Sequence, residues 1–229
     1  MENKHFLRLR GAIFDMDGTL VDSLFYWDAL WRRIGETFLS DADFRPSEED
    51  DKRVRTMLFR DAMALIQETY RIPLPPDGLW QFAAADEERF YREDVFAKAG
   101  VLDFLEYLKQ EGVRMCVVSA TDRQYLPIAL TACGLSEYFE FLLSCEELGV
   151  GKDRPDAYLA ALSRLGMEAK DVAVFEDSYV ALETAKRIGC PTVGVFDRYN
   201  FTGERLKAAA NIYLDENHTM ADLIGCVGR

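Results

Sequence analysis

The fold predicted from this sequence depends first on the stretch GAIFDMDGTLVDS, residues 11–23. Its first four residues are apolar on both faces of a strand, which is typical of buried strands in parallel sheets. The apolar run ends at Asp15, and Asp17 follows in a turn where Gly18 allows a sharp change of direction. Ligands bind beyond the carboxyl ends of the strands in open α/β sheets, so these two carboxylates are the first candidates for a functional site.

Five more short apolar runs follow along the chain, at residues 115–118, 141–143, 172–175, 191–196 and 212–214. Amphipathic stretches with helical spacing lie between them, and glycines mark the end of several of these stretches. This alternation predicts an α/β fold with a doubly wound, mostly parallel, Rossmann-like sheet.

The alternation stops between the first and second runs, where the patterns are helical and no strand-like run occurs. We therefore expect an α/β core formed by residues 1–20 and 97–229. Residues 21–96 are expected to form an all-helical insertion placed just after the first strand.

Composition excludes several classes of protein. The 229-residue chain has a net charge of −13, which would repel a nucleic-acid backbone, so no nucleic-acid partner is expected. No run of about 18 apolar residues occurs, so no membrane partner is expected either. The first residues lack the basic-then-apolar order of a secretory signal. We expect a cytoplasmic protein that is a monomer or a homodimer.

Polar side chains at the ends of the apolar runs suggest chemistry on phosphate. Asp15 and Asp17 are two positions apart, so one carboxylate can attack phosphorus while the other exchanges protons with the leaving oxygen and with water. Ser119 and the N–H of Ala120 follow another run and can hold phosphate oxygens. An ammonium at Lys152 could neutralise the attacking carboxylate and the phosphate together.

A second acidic pair, Glu176 and Asp177, ends the run at residues 172–175. Together with Asp15 and Asp17 it would place four carboxyl groups near a dianionic substrate, which they would repel without cations. Hard oxygen ligands suit Mg²⁺, and Mg²⁺ with Lys152 would supply the missing positive charge. Each residue alone has an ordinary structural role as a cap, turn or surface group, but their combination predicts a metal-dependent phosphate site.

The chain resembles the haloacid dehalogenase-like hydrolase superfamily, in the branch with a helical cap inserted after the first strand, which includes phosphoglycolate phosphatases and β-phosphoglucomutases. Residues 15–23 match its first motif closely, and Ser119, Lys152 and residues 176–178 fall where its second, third and fourth motifs should lie. The resemblance covers essentially the whole chain.

This resemblance implies a role for each of the candidate residues. Asp15 would form an aspartyl-phosphate, and Asp17 would act as general acid and then as general base. Ser119 and the N–H of Ala120 would hold the transferring phosphoryl group, while Lys152 would steady Asp15 and the phosphate. The implied cofactor is Mg²⁺, and its implied ligands are Asp15, the backbone carbonyl of Asp17, Asp177, and Glu176 either directly or through water.

The resemblance implies that the substrate is a small phosphorylated metabolite, but it does not identify which one. Cap side chains choose the leaving group in such proteins, and the candidates here are Tyr26, Trp27, Trp31, Arg53 and Arg60.

Three other functions compete with hydrolysis of a phosphate monoester. Sugar phosphomutases of the β-phosphoglucomutase type have a Gly-x-x-Arg cap segment, whereas here Gly35 is followed by Phe38 and Gly78 by Gln81 at that spacing. A dehalogenase would not need Asp17. A phospho-accepting receiver module would lack the long helical insertion.

Overall fold

The computed structural model describes residues 7–55, 57, 59–200 and 203–228. The chain divides into two compact units, one formed by Met1–Leu24 with Val95–Arg229 and the other by Phe25–Asp94. We refer to them as the α/β unit and the helical unit. Residues 21–24 and 95–96, which the sequence assigned to the insertion, fall in the α/β unit instead.

The reason for this difference is a short antiparallel ribbon. Val21–Asp22, β3, pairs with Phe96–Ala97, β4, with Val21 opposite Ala97. The N–H of Lys98 extends the pairing to the carbonyl of Leu20 at 2.9 Å. Ribbons of two residues leave no periodic pattern in a sequence, so the sequence did not reveal this one.

A six-stranded sheet forms the centre of the α/β unit, in the order β6-β5-β2-β7-β8-β9. These strands are β2 (Gly11–Phe14), β5 (Arg114–Ser119), β6 (Leu142–Ser144), β7 (Val172–Glu176), β8 (Thr192–Val195) and β9 (Ile212–Leu214). Every neighbouring pair is parallel, which confirms the predicted Rossmann-like sheet. A separate parallel pair joins β1 (Leu7–Arg8) to β10 (Val227–Gly228).

Helices connect the strands of this sheet. They are α5 (Val101–Gln110), α6 (Leu126–Ala132), α7 (Cys145–Leu148), α8 (Asp156–Leu165), α9 (Tyr179–Arg187) and α10 (Gly203–Ala209). Ile13 and Val174 lie in one apolar cluster with residues of α8, α9 and α10. Phe14 points the other way, because side chains alternate along a strand, and it stacks on Phe175 with ring centroids 4.4 Å apart. The sheet is therefore buried on both faces.

The helical unit contains α1 (Tyr26–Ile34), a π-helical segment (Gly35–Leu39), α2 (Glu48–Val54), α3 (Phe59–Thr69) and α4 (Gly78–Glu93). Buried apolar residues from α1, α3 and α4, including Leu30, Met63 and Phe90, form its core. Among the described residues, no helix combines the length and the apolar character that a bilayer crossing requires.

Candidate active site

The sheet brings the first and fourth sequence motifs side by side. Phe14 lies opposite Phe175 in the register of β2 and β7, so Asp15 follows one strand where Glu176 ends the next. The N–H of Asp15 donates to the carbonyl of Phe175 at 3.0 Å. Parallel neighbours end at the same edge of a sheet, which is why residues far apart in the chain meet here.

The turn after β2 carries Asp17 towards the loop after β5. Gly18 has φ of 75°. Oδ1 of Asp17 accepts a hydrogen bond from the hydroxyl of Ser23 at 2.6 Å, and Oδ2 accepts one from the hydroxyl of Thr121 at 2.5 Å. The carboxylate of Asp17 is thus held between the first motif and the loop after β5. The sequence does not predict either hydroxyl partner, although Ser23 lies in the first motif and Thr121 directly follows Ser119 and Ala120.

Lys152 lies in the segment between α7 and α8 and reaches two carboxylates. Its Nζ contacts Oδ1 of Asp15 and donates to Oε1 of Glu176 at 2.6 Å. The side chains of Lys152, Asp15 and Glu176 are 11%, 7% and 1% exposed, so these charges are largely removed from water. Buried charges need such partners, because removing one of them would leave the others uncompensated.

The pKa values of these groups show an excess of negative charge. Burial raises the pKa of Asp15 well above its usual range; Lys152 opposes this effect, and Glu176 and Asp177 add to it. The pKa of Asp177 is raised to about 8, first by burial and then by the charge of Glu176. Burial alone would lower the pKa of Lys152, but the charges of Asp15 and Glu176 outweigh it and raise that pKa. One ammonium does not balance this group of carboxyls.

Asp15, Glu176 and Asp177 fit a divalent cation. Each offers an oxygen, and these three oxygens lie within 4.8 Å of one another in a buried setting. Carboxylate oxygens are the donors that Mg²⁺ prefers, and the charge excess calls for a cation. Both oxygens of Glu176 also accept hydrogen bonds within the protein, since Oε2 takes the N–H of Ser178 at 3.0 Å while Oε1 takes Lys152.

Ser119 ends β5 as predicted and is 1% exposed. Its Oγ accepts the N–H of Thr121 at 3.1 Å, which tightens the turn that starts at the exposed Ala120. The hydroxyl of Ser144, at the end of β6, donates to the carbonyl of Thr121 at 2.7 Å. The loop after β5 is therefore held by Ser119 at the end of its own strand and by Ser144 at the end of the neighbouring strand.

The five specificity candidates all lie in the helical unit. Tyr26 and Trp31 are 6% and 1% exposed and belong to the core of that unit. Tyr26 donates to the carbonyl of Ala83 at 3.0 Å, and Trp31 Nε1 donates to Asp51 at 2.7 Å.

The other three candidates are more accessible. Trp27 is half-buried and has the guanidinium of Arg55 over its ring. Arg60 pairs with Asp77 at 2.6 Å, and Arg53 is exposed.

The match to a family model agrees with this fold and site. Residues 9–189 match the model of the haloacid dehalogenase-like hydrolases, so the chain belongs to that family. It is an enzyme of the phosphatase type, since its relatives include several named phosphatases.

Two relatives illustrate the range of substrates. A phosphorylated carbohydrates phosphatase of Thermotoga maritima is 26% identical over 204 residues, covering 88% of this chain and 92% of that protein. A phosphoglycolate phosphatase of Pectobacterium atrosepticum is 27% identical over 228 residues, covering 95% and 93%.

A solved structure supports the fold. CbbY from Rhodobacter sphaeroides, in complex with xylulose-(1,5)bisphosphate, superposes with a TM-score of 0.75 at 24% identity and covers 94% of this chain and 96% of its own.

Proposed function

We propose that this protein hydrolyses phosphate monoesters of small metabolites, with Mg²⁺ as cofactor and an aspartyl-phosphate on Asp15 as intermediate. The observation that carries the proposal is the different environment of two carboxylates two positions apart. Asp15 is buried against an ammonium, whereas Asp17 is half-buried and held by two hydroxyls. Carboxylates in such different surroundings can serve as nucleophile and as acid–base group in one reaction.

The first half of the reaction transfers the phosphoryl group to the enzyme. A carboxylate oxygen of Asp15 attacks phosphorus while the bond to the leaving oxygen breaks, and Asp17 gives its proton to that oxygen. In the second half, water attacks the phosphorus of the aspartyl-phosphate, and Asp17 takes the proton of that water. Inorganic phosphate leaves, and both carboxyl groups return to their starting states.

Several neighbours support these steps. Lys152, which contacts Asp15, stabilises negative charge on the transferring group. Ser119 and the N–H of Ala120 bind phosphoryl oxygens at the end of β5. Asp15, Glu176 and Asp177 would hold Mg²⁺, together with the backbone carbonyl of Asp17. When bound, this ion supplies positive charge against the carboxylates and the phosphate.

The substrate class follows from charge and from the relatives. A net charge of −13 disfavours long polyanions, while the site needs only one phosphate group. The two relatives described above are named for phosphorylated carbohydrates and for phosphoglycolate, both small phosphate esters. We therefore favour a small phosphorylated metabolite as the substrate.

A direct test uses Asp15→Asn with an aryl phosphate as substrate. We expect turnover to fall by about 10³-fold or more, because the amide is a poor nucleophile. Chelation of Mg²⁺ should also stop turnover, and added Mg²⁺ should restore it. Glu216→Gln makes the same carboxyl-to-amide change at an exposed position and should leave turnover unchanged.

Three outcomes would point elsewhere. Undiminished turnover by Asp15→Asn would refute the nucleophile. A requirement of the wild-type protein for a bisphosphate activator would indicate a sugar phosphomutase. Stable phosphorylation of Asp15 without release of phosphate would indicate a receiver-like module.

A further inference from the structure

A half-buried lysine outside the family motifs, Lys98, links two loops at the active-site edge. Lys98 Nζ donates to the carbonyls of Gly18 at 2.7 Å and Phe196 at 2.9 Å, and to Oδ2 of Asp197 at 2.9 Å. These three acceptors match the three N–H donors of an ammonium. The side chains of Lys98 and Asp197 are 18% and 3% exposed, so this is an enclosed ion pair.

Asp197 begins a tight turn after β8 that presents Asn200. Oδ1 of Asp197 accepts the N–H of Tyr199 at 2.8 Å, and its carbonyl accepts the N–H of Asn200 at 3.1 Å. Both carboxylate oxygens and the carbonyl of Asp197 are therefore engaged. The position of Asn200 depends on this turn, which Lys98 anchors.

Asn200 in turn holds Asp177. Its Nδ2 donates to the carbonyl of Asp177 at 2.7 Å and to Oδ2 of the same residue at 3.1 Å. Gly18 lies directly against that oxygen, because a Cβ built on Gly18 would be only 2.5 Å from it. Hydrogen bonds therefore link Gly18 to Lys98, and Lys98 to the Asp197 turn that carries Asn200. Asn200 bonds to Asp177, which itself lies against Gly18.

From this hydrogen-bond network we infer that Lys98 and Asn200 are positioning residues for the metal ligand Asp177. The inference rests on the proposed function, since it takes Asp177 as a ligand of Mg²⁺. Asn200 orients the carboxylate, and Lys98 holds both the turn that carries Asn200 and the Gly18 backbone behind it. Hydrogen-bond partners of metal ligands affect affinity even though they do not touch the ion.

The test measures the dissociation constant of Mg²⁺ by calorimetry, without substrate. For Asn200→Ala and Lys98→Met we expect it to rise about 10- to 100-fold. The two residues act through one chain of hydrogen bonds. The dissociation constant of the double variant should therefore rise by less than the product of the two single-variant increases. Asn217→Ala and Lys109→Met are matched controls, since Asn217 is exposed and Lys109 forms a surface pair with Glu137 at 2.8 Å.

Thermal unfolding in a chelator separates positioning from general damage. Asn200→Ala lies in a half-buried loop and carries the test if Lys98→Met does not fold. Folded variants that bind Mg²⁺ within twofold of the wild-type value would overturn the inference. A wild-type protein that binds no Mg²⁺ would instead contradict the proposed cofactor, so the two failures are distinguishable.

Discussion

Gly18 and Asp177 are in such close contact that the position of Gly18 has no room for a side chain. A Cβ on Gly18 would lie 2.5 Å from Oδ2 and 2.9 Å from Cγ of Asp177. The backbone of the first motif, at Gly18, therefore packs against the carboxylate of the fourth motif, at Asp177. This contact places a candidate metal ligand beside the turn that carries Asp17.

The first prediction concerns Gly18→Ala. The variant should cost about 1–2 kcal/mol of stability, because its φ of 75° is unfavourable for residues with a Cβ. The Cβ would also displace Asp177, so turnover and Mg²⁺ affinity should each fall about tenfold. Chemical denaturation, steady-state kinetics and calorimetry would measure these effects.

Gly134→Ala is the matched control for this variant. Gly134 has φ of 69°, but a Cβ there would meet nothing within 4 Å. It should lose about 1–2 kcal/mol of stability from its backbone conformation alone, no more than Gly18→Ala loses, with unchanged turnover and Mg²⁺ affinity. Equal effects of the two variants on turnover would show that the contact with Asp177 does not matter.

The second prediction concerns the acid–base role of Asp17. Asp17→Asn should lower turnover of an alkyl phosphate about 10²- to 10⁴-fold, because no group can then protonate the leaving oxygen. An aryl phosphate, whose leaving group needs no proton, should still phosphorylate Asp15. Intact-protein mass spectrometry should detect the phosphorylated enzyme, since water attack is slowed. Equal losses with both substrates and no phosphorylated enzyme would argue against this role.

The third prediction concerns the pH dependence of stability at Asp122, in the loop after β5. Burial, and then the charge of Glu146, raises the pKa of Asp122 from its usual 3.8 to about 6. The folded state binds this proton more tightly than the unfolded state, so ionisation costs stability. That cost is fully present above about pH 6 and is lost as the pH falls through 6 towards 3.8.

Asp122→Asn should therefore raise the free energy of unfolding at pH 7. We expect a gain of about 1 kcal/mol, well below the full value of the shift, because the half-exposed carboxyl is screened by water. The gain should vanish near pH 4, and urea denaturation at both pH values would measure it. Glu216→Gln, at an exposed site, should show no such pH-dependent gain. A gain that persists unchanged at pH 4 would contradict this explanation.

Several features could be predicted from the sequence because they have local signatures. The apolar runs before Asp15, Ser119 and Glu176 coincide with strands β2, β5 and β7, because short runs without polar residues suit strands buried on both faces. Parallel strands then bring their carboxyl ends to one edge. Lys152 does not follow a strand-like run, so its proximity to Asp15 is predicted only from the order of the motifs.

The partners that orient these groups could not be predicted. Thr121 bonds to Asp17 across 104 positions of the chain, and Lys98 bonds to Gly18 across 80. A hydrogen bond between two loops leaves no periodicity in either loop. Likewise, Trp31 and Trp27 share one helix, and only packing distinguishes the buried ring from the half-buried one.

Patterning along the chain was thus sufficient to identify the fold class and the candidate reacting groups, because burial and strand ends impose local rules on residue type. The orientation of Asp17, the support of Asp177 by Asn200 and the anchoring role of Lys98 emerged only from the folded chain. They depend on distances between loops, and those distances are set by how the whole sheet and its helices pack together.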